Sequence, residues 1–331
     1  MQPIPSIMKA LMADASGTAE GLHLASVPTP QPGDHEVLIK VAAAGINRAD
    51  ILQRQGKYAP PEGVTNILGL EAAGEVVDLG RGATRFKVGD KVMALLAGGG
   101  CAEYVHVHED HCLAVPENLS LIEAAVFPEA LVTVWANVFE TGRLDSYEHI
   151  LIHGGASGIG TTAIQMVKAH GAYCIVTVGN DEKAEACRQL GADLAINYNE
   201  EDFVEAVLKR TGHGVNIVLD MVGGDYIPRN LKALMPGGMH ISIATQHGAK
   251  AEVDFRMVMA KRLRITGSTI RARDSYEKSL LVRAVSKYAM PWVEKGEVKP
   301  VIFQAFPLEK AGEAHKVMET SAHIGKIALT V

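Results

Sequence analysis

Six consecutive residues, Gly155-Ala156-Ser157-Gly158-Ile159-Gly160, carry the clearest chemical signal in this chain of 331 residues. They follow the apolar run Ile150-Leu151-Ile152. They open a segment in which Ile159, Ala163, Ile164 and Val167 recur at helical spacing until Gly171. A strand, a glycine turn and a helix predict the entrance to a dinucleotide-binding unit. Glycines let the backbone come close to a pyrophosphate, and the helix N-terminus offers N–H groups to its charge. Ser157 stands where the GxGxxG pattern has its middle glycine. A tight strand-to-helix turn uses the same glycines without any ligand, so the surroundings must decide.

The second strand of such a unit usually ends on Asp or Glu, which bonds the ribose diol. Here the corresponding place reads Val178-Gly179-Asn180, with no acid. Glycine leaves room for a 2′-phosphate that an acid would repel. Lys183, in the first turn of the next predicted helix, supplies a cation for it. This favours NADPH over NADH. Asp181 and Glu182 are nearby acids that count against it, and a lysine on a helix surface also serves simply as a solvated charge.

The elements that must position these residues fall into two textures. Up to about residue 125, short strands alternate with turns: Val37–Val41, Gly74–Gly80, Val88–Ala94 and Ala102–Val107. A compact β-rich domain of barrel type is expected. From Phe127-Pro128 onward, strand and helix patterns alternate. Strands are predicted at Ile150–Ile152, Tyr173–Val178, Leu194–Asn197, Val215–Leu219, Met239–Ile243 and Leu263–Thr266. Helices are predicted at Gly158–His170, Asp181–Leu190, Asp202–Arg210 and Tyr226–Leu234. This predicts a doubly wound parallel sheet. A helix over Pro307–Glu319 and a last strand over Gly325–Val331 are expected to return to the first domain.

Composition narrows the function class. Hydrophobic residues make up 47% and charged residues 21%, enough for a sizeable core. A net charge of −6 argues against broad nucleic-acid binding. The four cysteines, Cys101, Cys112, Cys174 and Cys187, form no CxxC pair, so neither a disulfide framework nor a cysteine-rich zinc lobe is expected. Met1-Gln2-Pro3-Ile4-Pro5-Ser6 does not read as a signal peptide. The longest apolar stretch, Ala124 to Phe139, contains Pro128 and Glu129. A cytoplasmic protein without a membrane partner is the expectation.

Taken together, Asn47-Arg48-Ala49-Asp50, Gly56-Lys57-Tyr58-Ala59-Pro60-Pro61, Gly69-Leu70-Glu71-Ala72-Ala73-Gly74 and Pro128-Glu129-Ala130-Leu131-Val132-Thr133 resemble the medium-chain dehydrogenase/reductase family. The resemblance is to its zinc-free, zeta-crystallin-like quinone oxidoreductases. Gln53-Arg54-Gln55-Gly56 and Ile324-Gly325-Lys326-Ile327 look like the stress-inducible branch. It covers nearly the whole chain and implies an α/β fold: a Rossmann doubly wound parallel sheet plus a β-rich GroES-like catalytic domain. The implied boundaries are 1–126 and 269–331 for the catalytic domain and 127–268 for the dinucleotide-binding domain.

The resemblance implies Asn47, Asp50, Tyr58 and Thr133 around nicotinamide and substrate. It implies Gly155, Ala156, Ser157, Gly158, Ile159, Gly160, Gly179, Asn180, Lys183, Tyr198 and Lys326 around the rest of NADPH. Each has a plainer reading: a turn residue for Asn47, a helix N-terminal charge for Asp50, packing on Pro60-Pro61 for Tyr58 and a backbone cap for Thr133. Zinc alcohol dehydrogenases carry a cysteine where this chain has Asn47 and a histidine where it has Leu70. Leucine cannot ligate zinc, and no metal is expected. Without a Lewis acid the acceptor should already be electrophilic, as a quinone or conjugated enone is. The expected activity is NADPH:quinone oxidoreduction. The alternatives are an NADPH-dependent enone or enoyl reductase and a non-catalytic NADPH-binding sensor or structural protein. A homodimer paired through Leu263–Ile270 is expected by analogy.

Overall fold

The computed structural model describes residues 3–331; Met1 and Gln2 of the proline-containing N-terminal segment lie outside the described residues. Seven strands come first: β1 (Ile7–Ala13), β2 (Leu22–Pro28), β3 (Glu36–Ile46), β4 (Glu71–Leu79), β5 (Lys91–Leu95), β6 (Tyr104–His108) and β7 (Cys112–Ala114). Six more alternate with helices: β8 (His149–His153), β9 (Tyr173–Val178), β10 (Leu194–Asn197), β11 (Val215–Asp220), β12 (Leu234–Ser242) and β13 (Arg264–Gly267). The last two are β14 (Ile302–Pro307) and β15 (Lys326–Thr330). The chain forms two compact units. Met1–Val132, Ile270–Glu294 and Pro300–Val331 make one; Thr133–Thr269 with Lys295–Lys299 makes the other.

In the first unit, a sheet runs in the order β14-β15-β3-β4-β5-β7, with β6 also on β3 and a separate β1-β2 hairpin. Alternation along β3 turns Val37, Ile39 and Val41 into a core shared with Val92, Val105, Ile327 and Leu329. The returning strand β15 pairs antiparallel with β3, Ile327 opposite Ile46 and Ala328 opposite Gly45. That register brings Lys326 beside Asn47, 279 residues away in sequence.

The second unit is a six-stranded sheet in the order β10-β9-β8-β11-β12-β13. Every pairing in it is parallel. From β8 the chain winds to β9 and β10 on one side, then crosses to β11, β12 and β13 on the other, which is the doubly wound Rossmann arrangement. Leu151, Ile175, Ile196, Val218, Phe203 and Leu231 fill its core. The helix Gly158–His170 begins where Ser157 Oγ accepts the Gly160 N–H at 3.0 Å and ends at Gly171, whose φ of 88° is left-handed.

Two segments differ from the sequence expectation. The predicted helix over Pro307–Glu319 is the end of β14, a short 3₁₀ turn Leu308–Lys310 and a helix Ala311–Thr320. β12 begins at Leu234, because the chain carries Pro236-Gly237-Gly238 through as a register shift against β11 rather than as a loop.

Candidate active site

At the C-terminal end of β8, the glycine turn leads directly into the helix Gly158–His170. A Cβ on Gly160 would stand 2.3 Å from the Gly154 carbonyl oxygen, so only glycine lets the helix start this close to the strand. Ser157 is expected beside the pyrophosphate. The structure gives its hydroxyl a definite structural task, since it caps the helix through the Gly160 N–H. The N–H groups of Gly158 and Ile159 in the same first turn have no intrahelical acceptor. Gly155 and Ala156 complete the turn, with the Gly155 N–H donating to the Thr177 carbonyl at 3.0 Å.

The end of β9 gathers Gly179, Asn180, Lys183 and Tyr198. The Tyr198 N–H donates to the Val178 carbonyl at 3.0 Å, and a Cβ on Gly179 would meet the Tyr198 hydroxyl at 2.7 Å. Asn180 caps the next helix, its Oδ1 accepting the Lys183 N–H at 2.9 Å. The nearby acid Asp181 accepts from Asn197 Nδ2 at 3.0 Å. Partial burial pulls the Lys183 ammonium below its ordinary value. The turn, the first-turn N–H groups and this acid-free strand end fit a pyridine dinucleotide.

In the first unit, Asn47, Asp50, Glu71 and Lys326 form one buried cluster. Glu71, fully buried, accepts from Asn47 Nδ2 at 3.0 Å, from Lys326 Nζ at 2.6 Å and from the Glu129 N–H at 2.9 Å. Lys326 Nζ also donates to Asn47 Oδ1 at 2.5 Å. Both ends of the Asn47 amide are therefore held, which fixes its orientation. Asn47 precedes the helix Arg48–Arg54. Asp50 sits in that helix's first turn, and its carboxylate accepts the N–H groups of Asn47 at 2.8 Å and Gly69 at 3.0 Å. Burial pushes the Asp50 carboxyl up to about 6, against these bonds and the Lys326 charge, which pull it down.

Tyr58 is half-buried, with the Arg271 guanidinium 5.3 Å from its ring centre. Burial raises its phenol above the ordinary value, so it is a neutral donor at neutral pH. Thr133 is buried on the helix Pro128–Val134 and belongs to the second unit. The structure thus brings Asn47, Asp50 and Lys326 together, and separately Gly179, Asn180, Lys183 and Tyr198.

Asp220, at the end of β11, is fully buried and accepts from His240 Nε2 at 3.0 Å, Asn230 Nδ2 at 3.1 Å and the Val222 N–H at 2.7 Å. Asn230 Oδ1 in turn accepts from His153 Nε2 at 2.7 Å. Burial lowers His153 to about 4, so its ring is neutral. This network ties the ends of β8, β11 and β12 beneath the glycine turn.

Residues 33–117 match the alcohol dehydrogenase GroES-like domain, and residues 158–286 match the zinc-binding dehydrogenase family. The rat quinone oxidoreductase is 30% identical over 327 residues, covering 98% of each chain. The chain belongs to the zeta-crystallin-like quinone oxidoreductases of the medium-chain dehydrogenase/reductase family. The Escherichia coli quinone oxidoreductase solved with NADPH is 29% identical, with a TM-score of 0.87 over 98% of this chain and 99% of that one. The CurK enoyl reductase is 27% identical, with a TM-score of 0.86 and the same coverage. The protein is therefore an oxidoreductase, with the GroES-like and Rossmann domains of this family.

For a quinone oxidoreductase-family chain, the residues least visible in sequence are Glu71 and Arg271. Glu71 has a local signal, an acid set between Leu70 and the small apolar run Ala72-Ala73-Gly74. Arg271 stands in none of the sequence motifs, yet it is only 5% exposed. Among the described residues, no helix is long and apolar enough to cross a membrane, and no three His, Cys, Asp or Glu side chains cluster as a metal site.

Proposed function

We propose that the protein is an NADPH-dependent quinone oxidoreductase that works without zinc. The observation that carries this reading is the end of β9. There Gly179 leaves the space beside Tyr198 free of an acid, and Lys183 follows one turn on. Bound NADPH supplies a hydride. The chain's part is to hold the nicotinamide and the acceptor in a fixed relation, with the amide of Asn47 locked between Glu71 and Lys326. Tyr58, a neutral phenol, offers a hydrogen bond to the acceptor oxygen. A lysine ammonium against Asn47 and Glu71, next to Leu70, argues against a cation being held there.

The likeness to the CurK enoyl reductase favours a second reading, reduction of a conjugated carbon acceptor by the same donor. Purified protein treated with a chelator is to be assayed for NADPH oxidation against a quinone panel and an alkenal panel. Turnover on quinones supports the first reading; turnover confined to alkenals replaces it with the second.

A further inference from the structure

Arg271 is a buried cation with an unused donor. It is 5% exposed, and its guanidinium is anchored on two sides: Nε donates to the Ala97 carbonyl at 2.7 Å and Nη2 to Gln53 Oε1 at 2.7 Å. Gln53 is itself oriented, since its Nε2 donates to the Asn66 carbonyl at 3.0 Å. Nη1 has no hydrogen-bond partner, although it is buried. Among the described residues no carboxylate forms a direct ion pair with the guanidinium; Asp50 acts on it only electrostatically, without a hydrogen bond. A second buried cation, Lys278, donates to the Arg271 carbonyl at 2.8 Å and adds to the positive charge.

Burying a charge without a counter-charge is costly, and so is leaving a buried donor unmade. Arginine in such a place is the residue suited to a planar or oxyanionic acceptor. The guanidinium also packs on the ring of Tyr58, whose hydroxyl makes no hydrogen bond to protein among the described residues. Two unsatisfied donors, one permanently charged, therefore belong to a single contact pair in the first unit.

We propose that Arg271, set in place by Gln53 and Ala97 and paired with Tyr58, is the binding group for a negatively charged oxygen on the acceptor. This rests on the reading of the chain as a quinone reductase. That oxygen has two sources. Transfer of a hydride, a proton with two electrons, from NADPH to a quinone leaves a hydroquinone monoanion, which then takes a proton from water. Alternatively, the acceptor carries a carboxylate or sulfonate of its own.

The test compares wild type with Arg271→Gln and Arg271→Lys on neutral 9,10-phenanthrenequinone and on 1,2-naphthoquinone-4-sulfonate. It also measures calorimetric binding of naphthalene-2-sulfonate to the wild-type protein, with neutral naphthalene-2-methanol as control. A loss of about 10- to 100-fold in kcat on both quinones in Arg271→Gln, partly restored in Arg271→Lys, assigns the oxygen formed in the reaction. A rise in KM of the same size confined to the sulfonated quinone, with tighter binding of the naphthalene sulfonate than of the alcohol, assigns a carried anion. Wild-type kinetics within twofold in Arg271→Gln, with no preference for the sulfonate in binding, overturns the proposal. Absence of quinone turnover in the wild type overturns the functional reading instead, and the calorimetric arm still decides on the anion site. If Arg271→Gln does not fold, that same arm on the wild-type protein decides.

Discussion

Lys326 Nζ lies 2.6 Å from Glu71 Oε1, and neither side chain is more than 5% exposed. The pair joins the last strand of the chain to β4 and holds Asn47 between them. Removing one partner of a buried pair leaves an uncompensated charge, which costs about 3–5 kcal/mol. Glu71→Met and Lys326→Met are each expected to lose stability of that order in urea unfolding. The double variant Glu71→Met with Lys326→Met should lose much less than the sum of the two. Additive losses would show that the two charges do not act as a pair.

Asp50 gives the fold a pH dependence of defined sign. Burial holds its carboxyl at about 6, above the usual 3.8, so the folded chain keeps the proton to a higher pH than the unfolded chain. Stability from this group is therefore lost as pH rises through that window, and the penalty is complete above about pH 6. Relative to Asp50→Asn, the wild type should gain about 2–3 kcal/mol between about pH 7 and about pH 4. Parallel stability curves for the two proteins would contradict this assignment.

At the other unit, Lys183 is expected to serve the 2′-phosphate. Lys183→Ala should raise the dissociation constant for NADPH about tenfold or more while leaving that for NADH within about twofold. Equal weakening of both, read by quenching of protein fluorescence, would remove Lys183 from cofactor discrimination.

Among the described residues the parallel sheet ends at β13, which pairs only with β12, and Ile265 on it is 45% exposed. Phe255 and Met259, on the preceding helix, are 65% and 69% exposed. Such an edge is usually covered or blunted. Light scattering should give the mass of two chains, and Ile265→Asp should shift it to one. A single-chain mass for the wild type at all concentrations would refute the pairing.

Sequence and structure agree where local chemistry dictates local shape. Both ends of the helix Gly158–His170 are legible because Ser157 caps one end and Gly171 takes a left-handed turn at the other. β9 and β10 are legible because Tyr173–Val178 and Leu194–Asn197 are short, β-branched or apolar runs bounded by turns. The hairpin β1-β2 is not, since Lys9 and His23 break its apolar pattern and only pairing makes it a strand pair. Part of the candidate site is legible by motif, as with Asn47 and Gly179. The contacts that give these residues their setting are not. Asn47 meets Lys326 only because β15 returns to β3, and Arg271 is anchored by Ala97 and Gln53, both distant in sequence. Long-range register carries no signature within either segment.

The central claim is that the chain passes reducing equivalents from NADPH to a quinone with no metal. Its most direct test is the steady-state rate of chelator-treated protein with NADPH and with NADH on the same quinone. The account predicts turnover with both undiminished by the chelator, and kcat/KM at least about tenfold higher for NADPH. Preference for NADH, or activity abolished by the chelator and restored by zinc, would contradict it.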